Sequence, residues 1–178
     1  MTRYSRLLLI AVPLFASCSG GEVTSPVSTP LSSSMVSASA FVQAARPAGG
    51  TCKSAFRALP PLPGDPANYL RLHIEYACRL EHLGRSTAIA EQLVVITSPT
   101  TATASNATTY RAANGDLLYA TWTGTATLNG PDIQFSGQEV FQGGTGRFVT
   151  ATGSTWGGGT ASFLTNKGAF TGKGTISF

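Results

Sequence analysis

Between Leu70 and Leu80 the chain alternates without a break. Leu70, Leu72, Ile74, Tyr76, Cys78 and Leu80 are separated by Arg71, His73, Glu75, Ala77 and Arg79. Successive side chains of a strand point to opposite faces, so this run predicts a strand with one buried face, Cys78 on it. Less strict versions of the pattern run over Ser86–Thr97, Asn106–Ala113, Asp116–Thr127, Ile133–Gln142, Arg147–Trp156, Thr160–Thr165 and Ala169–Phe178. In Ser86–Thr97 both faces are apolar, which predicts either a well-covered strand or a phase-shifting bulge near Glu91. No run of ten or more residues carries a helical period.

The segments between these runs read as turns. Asn114-Gly115 is the strongest hairpin signal, because a type I′ turn needs positive φ at both central residues. His82-Leu83-Gly84-Arg85, Asn129-Gly130-Pro131-Asp132, Gly143 to Phe148, Gly157-Gly158-Gly159 and Asn166-Lys167-Gly168 supply further reversals. Leu59 to Pro66 carries four prolines and is a loop, since each removes a donor and fixes φ; Pro99 to Ser105 reads as a polar loop. Eight strands joined by tight turns predict an all-β fold, an eight-stranded antiparallel β-barrel over residues 51–178. Along one face of Asp116–Thr127 and the next residue, Leu118, Ala120, Trp122, Gly124, Ala126 and Leu128 alternate in size, as the taper of a small barrel requires. Glycines inside strands (Gly124, Gly137, Gly172, Gly174) mark bends or close backbone approaches.

The stretch Phe135-x-Gly137-x-Glu139-x-Phe141-x-Gly143-Gly144-Thr145-Gly146-Arg147-Phe148 is followed by Ala151-Thr152-Gly153 and by Gly172-x-Gly174-Thr175-Ile176-Ser177-Phe178. Together these resemble the allene oxide cyclase-like and dirigent-like barrels of calycin type. The resemblance covers Leu70 to Phe178 and implies an eight-stranded antiparallel barrel with a Gly-Gly-Thr-Gly-x-Phe turn between late strands. No catalytic motif of the family can be matched residue by residue, so the resemblance carries fold and no chemistry.

Ahead of the barrel, Arg3 and Arg6 precede the apolar run Leu7 to Phe15, which is too short to span a bilayer as a helix. Residues 1–17 therefore read as a signal peptide. Leu14-Phe15-Ala16-Ser17-Cys18 resembles the lipobox of bacterial lipoproteins, which implies that Cys18 is lipidated and becomes the mature N-terminus. Ser19 in the following position implies outer-membrane sorting if the host is diderm. Residues 18–50 then form the lipidated cysteine and a Ser/Thr/Pro/Ala-rich flexible linker, with a reach of about 30 Å.

Charge and cysteines narrow the function classes. The chain carries 12 basic and 8 acidic residues, but Arg3 and Arg6 leave with the signal peptide, so the mature charge is modest. No basic cluster suited to nucleic acid occurs. With Cys18 assigned to lipid, Cys52 and Cys78 remain as an even pair in an exported chain, which favours a disulfide.

Glu139 is the most informative polar residue, because it lies on the face that Ile133, Phe135 and Phe141 make apolar. Inside a lumen it would have a raised pKa and act as an acid or hold a polar ligand group. Alternatively, a bulge or strand end turns it to solvent, or Arg147 pairs with it across the turn; the glycine turn is expected to hold Glu139 and Arg147 near one mouth of the barrel, which makes Arg147 a ligand-binding candidate as well. Glu91 poses the same question. Tyr76, Trp122, Phe135 and Phe141 either line a ligand cavity or simply form the core. His73 faces outward and His82 lies in a turn. No metal site, cofactor or His-dependent nucleophile is predicted, and the glycine turn lacks the lysine and following helix of a P-loop. The expected object is a membrane-anchored lipoprotein whose barrel binds a small apolar ligand or an envelope partner. The alternatives are an isomerase or cyclase using an interior acid, and a structural lipoprotein with a filled barrel.

Overall fold

The alternating runs pair into a closed sheet. In the computed structural model, which describes residues 43–178, eight strands follow one another: β1 (Arg46–Leu59), β2 (Tyr69–Leu80), β3 (Gly84–Ser98), β4 (Thr101–Arg111), β5 (Leu117–Asn129), β6 (Asp132–Gly144), β7 (Thr152–Ser162) and β8 (Lys167–Ser177). Each pairs antiparallel with its sequence neighbours, and β8 returns to β1 to close the barrel. The signal peptide, Cys18 and the linker as far as residue 42 lie outside the described residues.

Eight strands is the expected number, but two memberships differ. Residues 46–50, assigned to the linker, are the start of β1. Its inward positions Ala48, Gly50, Cys52 and Ser54 are too small to produce visible hydrophobic alternation, and only Phe56 does so. In compensation, the two short runs assigned on either side of Gly157-Gly158-Gly159 are parts of one strand, β7. The triple glycine does not turn there; it pairs with Phe135, Ser136 and Gly137 on one side and with Phe170, Thr171 and Gly172 on the other. Residues Gly146–Phe148 form a single 3₁₀ turn rather than the start of a strand. β4 also begins earlier than expected, at Thr101, with Ala102 and Ala104 buried. In the β4–β5 connection only Gly115 has positive φ, so this is a wider turn than type I′, held by the Asn114 side chain on Asp116.

The register defines two ends. At one end lie the β2–β3, β4–β5 and β6–β7 connections together with the start of β1. This end is closed, because Phe148, Leu83, Ala112, Leu118, Ala151 and Ile176 pack into one buried cluster. Phe148 is 0% exposed and meets the ring of Phe178 edge-on at 5.0 Å. At the other end lie the Pro-rich β1–β2 loop and the β3–β4, β5–β6 and β7–β8 turns. The Pro-rich loop is clipped to β2 by Asp65, whose carboxylate accepts from Arg71 at 2.7 and 2.9 Å and from the Leu62 N–H at 2.8 Å. The Arg71 guanidinium and that N–H hold the Asp65 pKa down to about 2.

Apart from Ala77 and Ala107, the outward positions of β2 (Arg71, His73, Glu75, Arg79) and β4 (Thr101, Thr103, Ser105, Thr109, Arg111) are polar.

Cys52 and Cys78 are directly opposed on β1 and β2 and joined by a disulfide. The bridge faces the core near the closed end, because register sets Cys52 seven residues before the strand end at Leu59. Cross-linking positions 26 apart restricts the unfolded chain. Replacing both cysteines by Ala is expected to lower stability by about 3 kcal/mol, measured by urea unfolding.

One further regularity spans the sheet. Gly124 pairs with Gly137, Gly137 with Gly157, Gly157 with Gly172 and Gly172 with Gly50, a glycine belt in register across β5, β6, β7, β8 and β1. All five occupy inward positions. The wall there has no side chains of its own, and the Trp122 ring lies over Gly124 and Gly137 while Phe170 lies beside Gly157 and Gly172.

Candidate functional site

The wall positions of the open half enclose a cavity of about 110 Å³. Its sides are apolar: Leu72 and Ile74 from β2, Val94 from β3, Trp122 from β5, Phe135 from β6 and Phe170 from β8. Trp122 and Phe135 meet edge-on at 6.1 Å. Leu70, Ile96, Leu128, Ile133 and Phe163 border it toward the open end. The lumen is therefore neither filled nor as large as the roughly 300 Å³ at which drug-sized pockets begin. Benzene occupies an apolar cavity of about 150 Å³, so this one suits a group of similar or smaller size.

Glu139 reaches the floor. Alternation along β6 points Phe135, Gly137, Glu139 and Phe141 inward, with no bulge between them to turn the carboxylate out. It is 6% exposed. The Tyr110 hydroxyl donates to Oε1 at 2.7 Å, and the Thr155 hydroxyl donates to Oε2 at 3.4 Å. Burial raises the Glu139 pKa, and those two hydrogen bonds oppose the rise without cancelling it. Burial and the nearby Glu139 carboxylate also raise the phenols of Tyr76 and Tyr110. Higher on the wall, Asn106 Nδ2 donates to Gln92 Oε1 and Thr108 donates to Asn106 Oδ1, a short polar ladder on β3 and β4.

The sequence candidates separate cleanly. Tyr76, Trp122, Phe135 and Glu139 line this one cavity. Arg147 does not: it lies at the closed end, donates to the His82 carbonyl, sits 3.9 Å from Asp116 and covers the Phe148 ring at 4.8 Å. The proposed Glu139–Arg147 pair is thus excluded, because the strand carries one inward and the turn carries the other outward. Phe141 belongs to the closed-end cluster. Glu91 is exposed on the outer face, opposite His73. Tyr110 and Thr155 carry no comparable signal in the sequence: Tyr110 shares its inward face with Asn106 and Thr108, so no apolar stripe marks it, and Thr155 lies on β7, which the triple glycine divides into two apparent runs.

Among the described residues, no three His, Cys, Asp or Glu side chains come together as metal ligands. The arrangement can hold an apolar body against aromatic walls and offer one carboxyl group to its tip. The chain matches no family model, no curated protein and no solved structure.

A raised carboxyl pKa fixes a sign for stability. Glu139 binds its proton more tightly in the folded state, so its contribution is fully present below the unfolded value near 4.5 and is lost as pH rises through the folded pKa. Thermal melts of the wild type should show this decline, and Glu139→Gln should flatten it.

Proposed function

We propose that this protein is a bacterial lipoprotein, attached to the membrane through a lipidated Cys18, whose barrel binds a small and mainly apolar ligand through its open end. The observation that carries the binding half is the cavity itself: apolar and aromatic walls over a single buried acid, with one end of the barrel plugged and the other bordered by apolar side chains. A protein needing only a stable barrel would gain by filling that space and by replacing the acid with an apolar residue.

The anchoring half rests on the lipobox-like Leu14 to Cys18. It is supported by the Cys52–Cys78 disulfide, which suits an exported chain. β1 begins at the closed end, so the mouth lies opposite the point where the linker reaches the barrel. The resemblance to allene oxide cyclase-like and dirigent-like barrels belongs to this same reading and is supported by the eight-strand closure. Cys18→Ser is expected to move the protein from the membrane to the soluble fraction; retention in the membrane would refute the anchor.

Binding is testable with the protein's own fluorophore. The chain has two tryptophans; Trp122 is 7% exposed at the cavity and Trp156 is 64% exposed on the outer face. In Trp156→Phe the remaining emission reports the lumen. Native mass spectrometry of the purified chain should show a co-purified small molecule, and Trp122→Ala should release it.

A second reading has a specific observation behind it. A buried acid with a raised pKa facing an apolar cavity is placed to donate a proton, as an isomerase or cyclase requires. If turnover of any bound compound is found, Glu139→Gln should abolish it, and unchanged turnover would eliminate Glu139 as the acid.

A further inference from the structure

The composition of the cavity wall is lopsided in charge. Among the described residues Glu139 is the one carboxyl group on it, and no Lys, Arg or His lines it. Across the floor, Glu139 also borders a second space of about 20 Å³, and among the described residues no cation lines it. The residues that border these two spaces with the acid are likewise uncharged on the neighbouring strands: Gly50 on β1, Tyr76 on β2, Tyr110 on β4, Trp122 on β5, Thr155 on β7 and Phe170 on β8.

Both hydroxyls that touch Glu139 donate to it. Tyr110 and Thr155 together give one bond to each carboxylate oxygen, the arrangement that receives a negative charge. What a buried carboxylate ordinarily has in addition is a cationic partner, since an unpaired buried charge is costly. Among the described residues none is supplied. The wall supplies aromatic rings instead, from Tyr76, Tyr110, Trp122, Phe135 and Phe170, and aromatic faces attract cations.

We propose that the lumen receives a small, mainly apolar monocation, a protonated alkylamine in chemical class, whose ammonium group pairs with Glu139 at the cavity floor. This rests on the reading of the barrel as a ligand binder. The amine's N–H groups reach the carboxylate while the aromatic walls replace part of its lost hydration. Its alkyl chain lies along Leu72, Ile74 and Val94 toward the mouth. Anionic ligands such as fatty acids are disfavoured, because their carboxylate would approach Glu139 with no cation between them.

The test uses three probes of matched length on the full chain carrying Trp156→Phe: hexylamine, 1-hexanol and hexanoate, followed by Trp122 fluorescence. Hexylamine is expected to bind at least tenfold more tightly than either of the others. Its affinity should rise with pH through the titration of Glu139, because only the carboxylate pairs with the ammonium, which itself stays charged up to about pH 10. Glu139→Gln should weaken hexylamine at least tenfold while leaving 1-hexanol within threefold, which also shows that the variant retains its lumen. Equal or tighter binding of 1-hexanol or hexanoate, or hexylamine affinity that falls with pH, would overturn the amine while leaving ligand binding in place. If none of the three binds, the ligand-binding reading falls with it.

Discussion

Phe148→Ala is expected to destabilise the barrel by about 3–5 kcal/mol and to lower its Tm by roughly 10–20 °C. The side chain is wholly buried, and it is the ring that stoppers the closed end between Leu118, Ile176 and Phe178. It is delivered there by local chemistry. Gly143 and Gly146 take positive φ, the Thr145 N–H donates to the Leu117 carbonyl, and the single 3₁₀ turn rotates Phe148 inward while Val149 points out. Removing the ring deletes its transfer free energy and leaves a hole that strand ends anchored by pairing cannot collapse to fill. Val149→Ala, one residue on and 65% exposed, is the control and should stay within about 0.5 kcal/mol. Denaturant melts of the two variants separate a plug from a mere turn: equal losses would show that the turn geometry, not the ring, closes the barrel.

That turn shows what the sequence could and could not disclose. The glycine cluster announces a reversal, and Phe148 after it announces something to bury, but which end of the barrel it seals depends on pairing partners far away in the chain. Strand existence was legible wherever large apolar residues alternate, as in β2, because each inward position then carries its own signal. It was illegible in β1, where the lumen is so crowded by Tyr76 and Phe170 from neighbouring strands that β1 contributes Ala48, Gly50, Cys52 and Ser54. A strand selected for smallness looks like a linker. The same reason hid the identity of β7, whose Gly157-Gly158-Gly159 reads as a break when taken alone and as a wall when Gly137 and Gly172 stand beside it.

The site divides along the same line. Glu139 could be singled out because one carboxylate interrupts an apolar face within a single strand. Its hydrogen-bond partner Tyr110 lies 29 residues away on β4, which is not paired with β6, whereas Thr155 lies 16 residues away on β7, directly opposite Glu139 in the β6–β7 ladder. Nothing local marks either of them. Conversely, Arg147 is close to Glu139 in sequence yet is separated from it by the direction each side chain takes, and its charge is spent on the His82 carbonyl, Asp116 and aromatic faces at the closed end.

Gly137→Val should cost about 4 kcal/mol or more, a large part of the 5–15 kcal/mol that holds a domain together, whereas Gly172→Ala should stay within about 1 kcal/mol. The contrast arises within one belt. A Cβ at Gly137 would lie 2.3 Å from the Thr123 carbonyl oxygen and 2.6 Å from the Trp122 ring, so backbone and indole would both have to give way. At Gly172 the nearest atom is 3.2 Å away and is the tip of Phe170, a side chain free to rotate slightly. Both sites are interior glycines on paired strands, so a general penalty for filling glycines would affect them alike. The expected difference instead follows from what each glycine makes room for: Gly137 gives Trp122 a place to lie flat on the wall, and without it the indole must swing into the cavity. Chemical denaturation measures the first effect. In a Trp156→Phe background, any folded Gly137→Val should also show altered Trp122 emission and lose the bound probe, while Gly172→Ala keeps both. Equal stability of the two variants would mean that the belt bends the sheet without setting the cavity, and that the lumen owes its open space to the strand count alone.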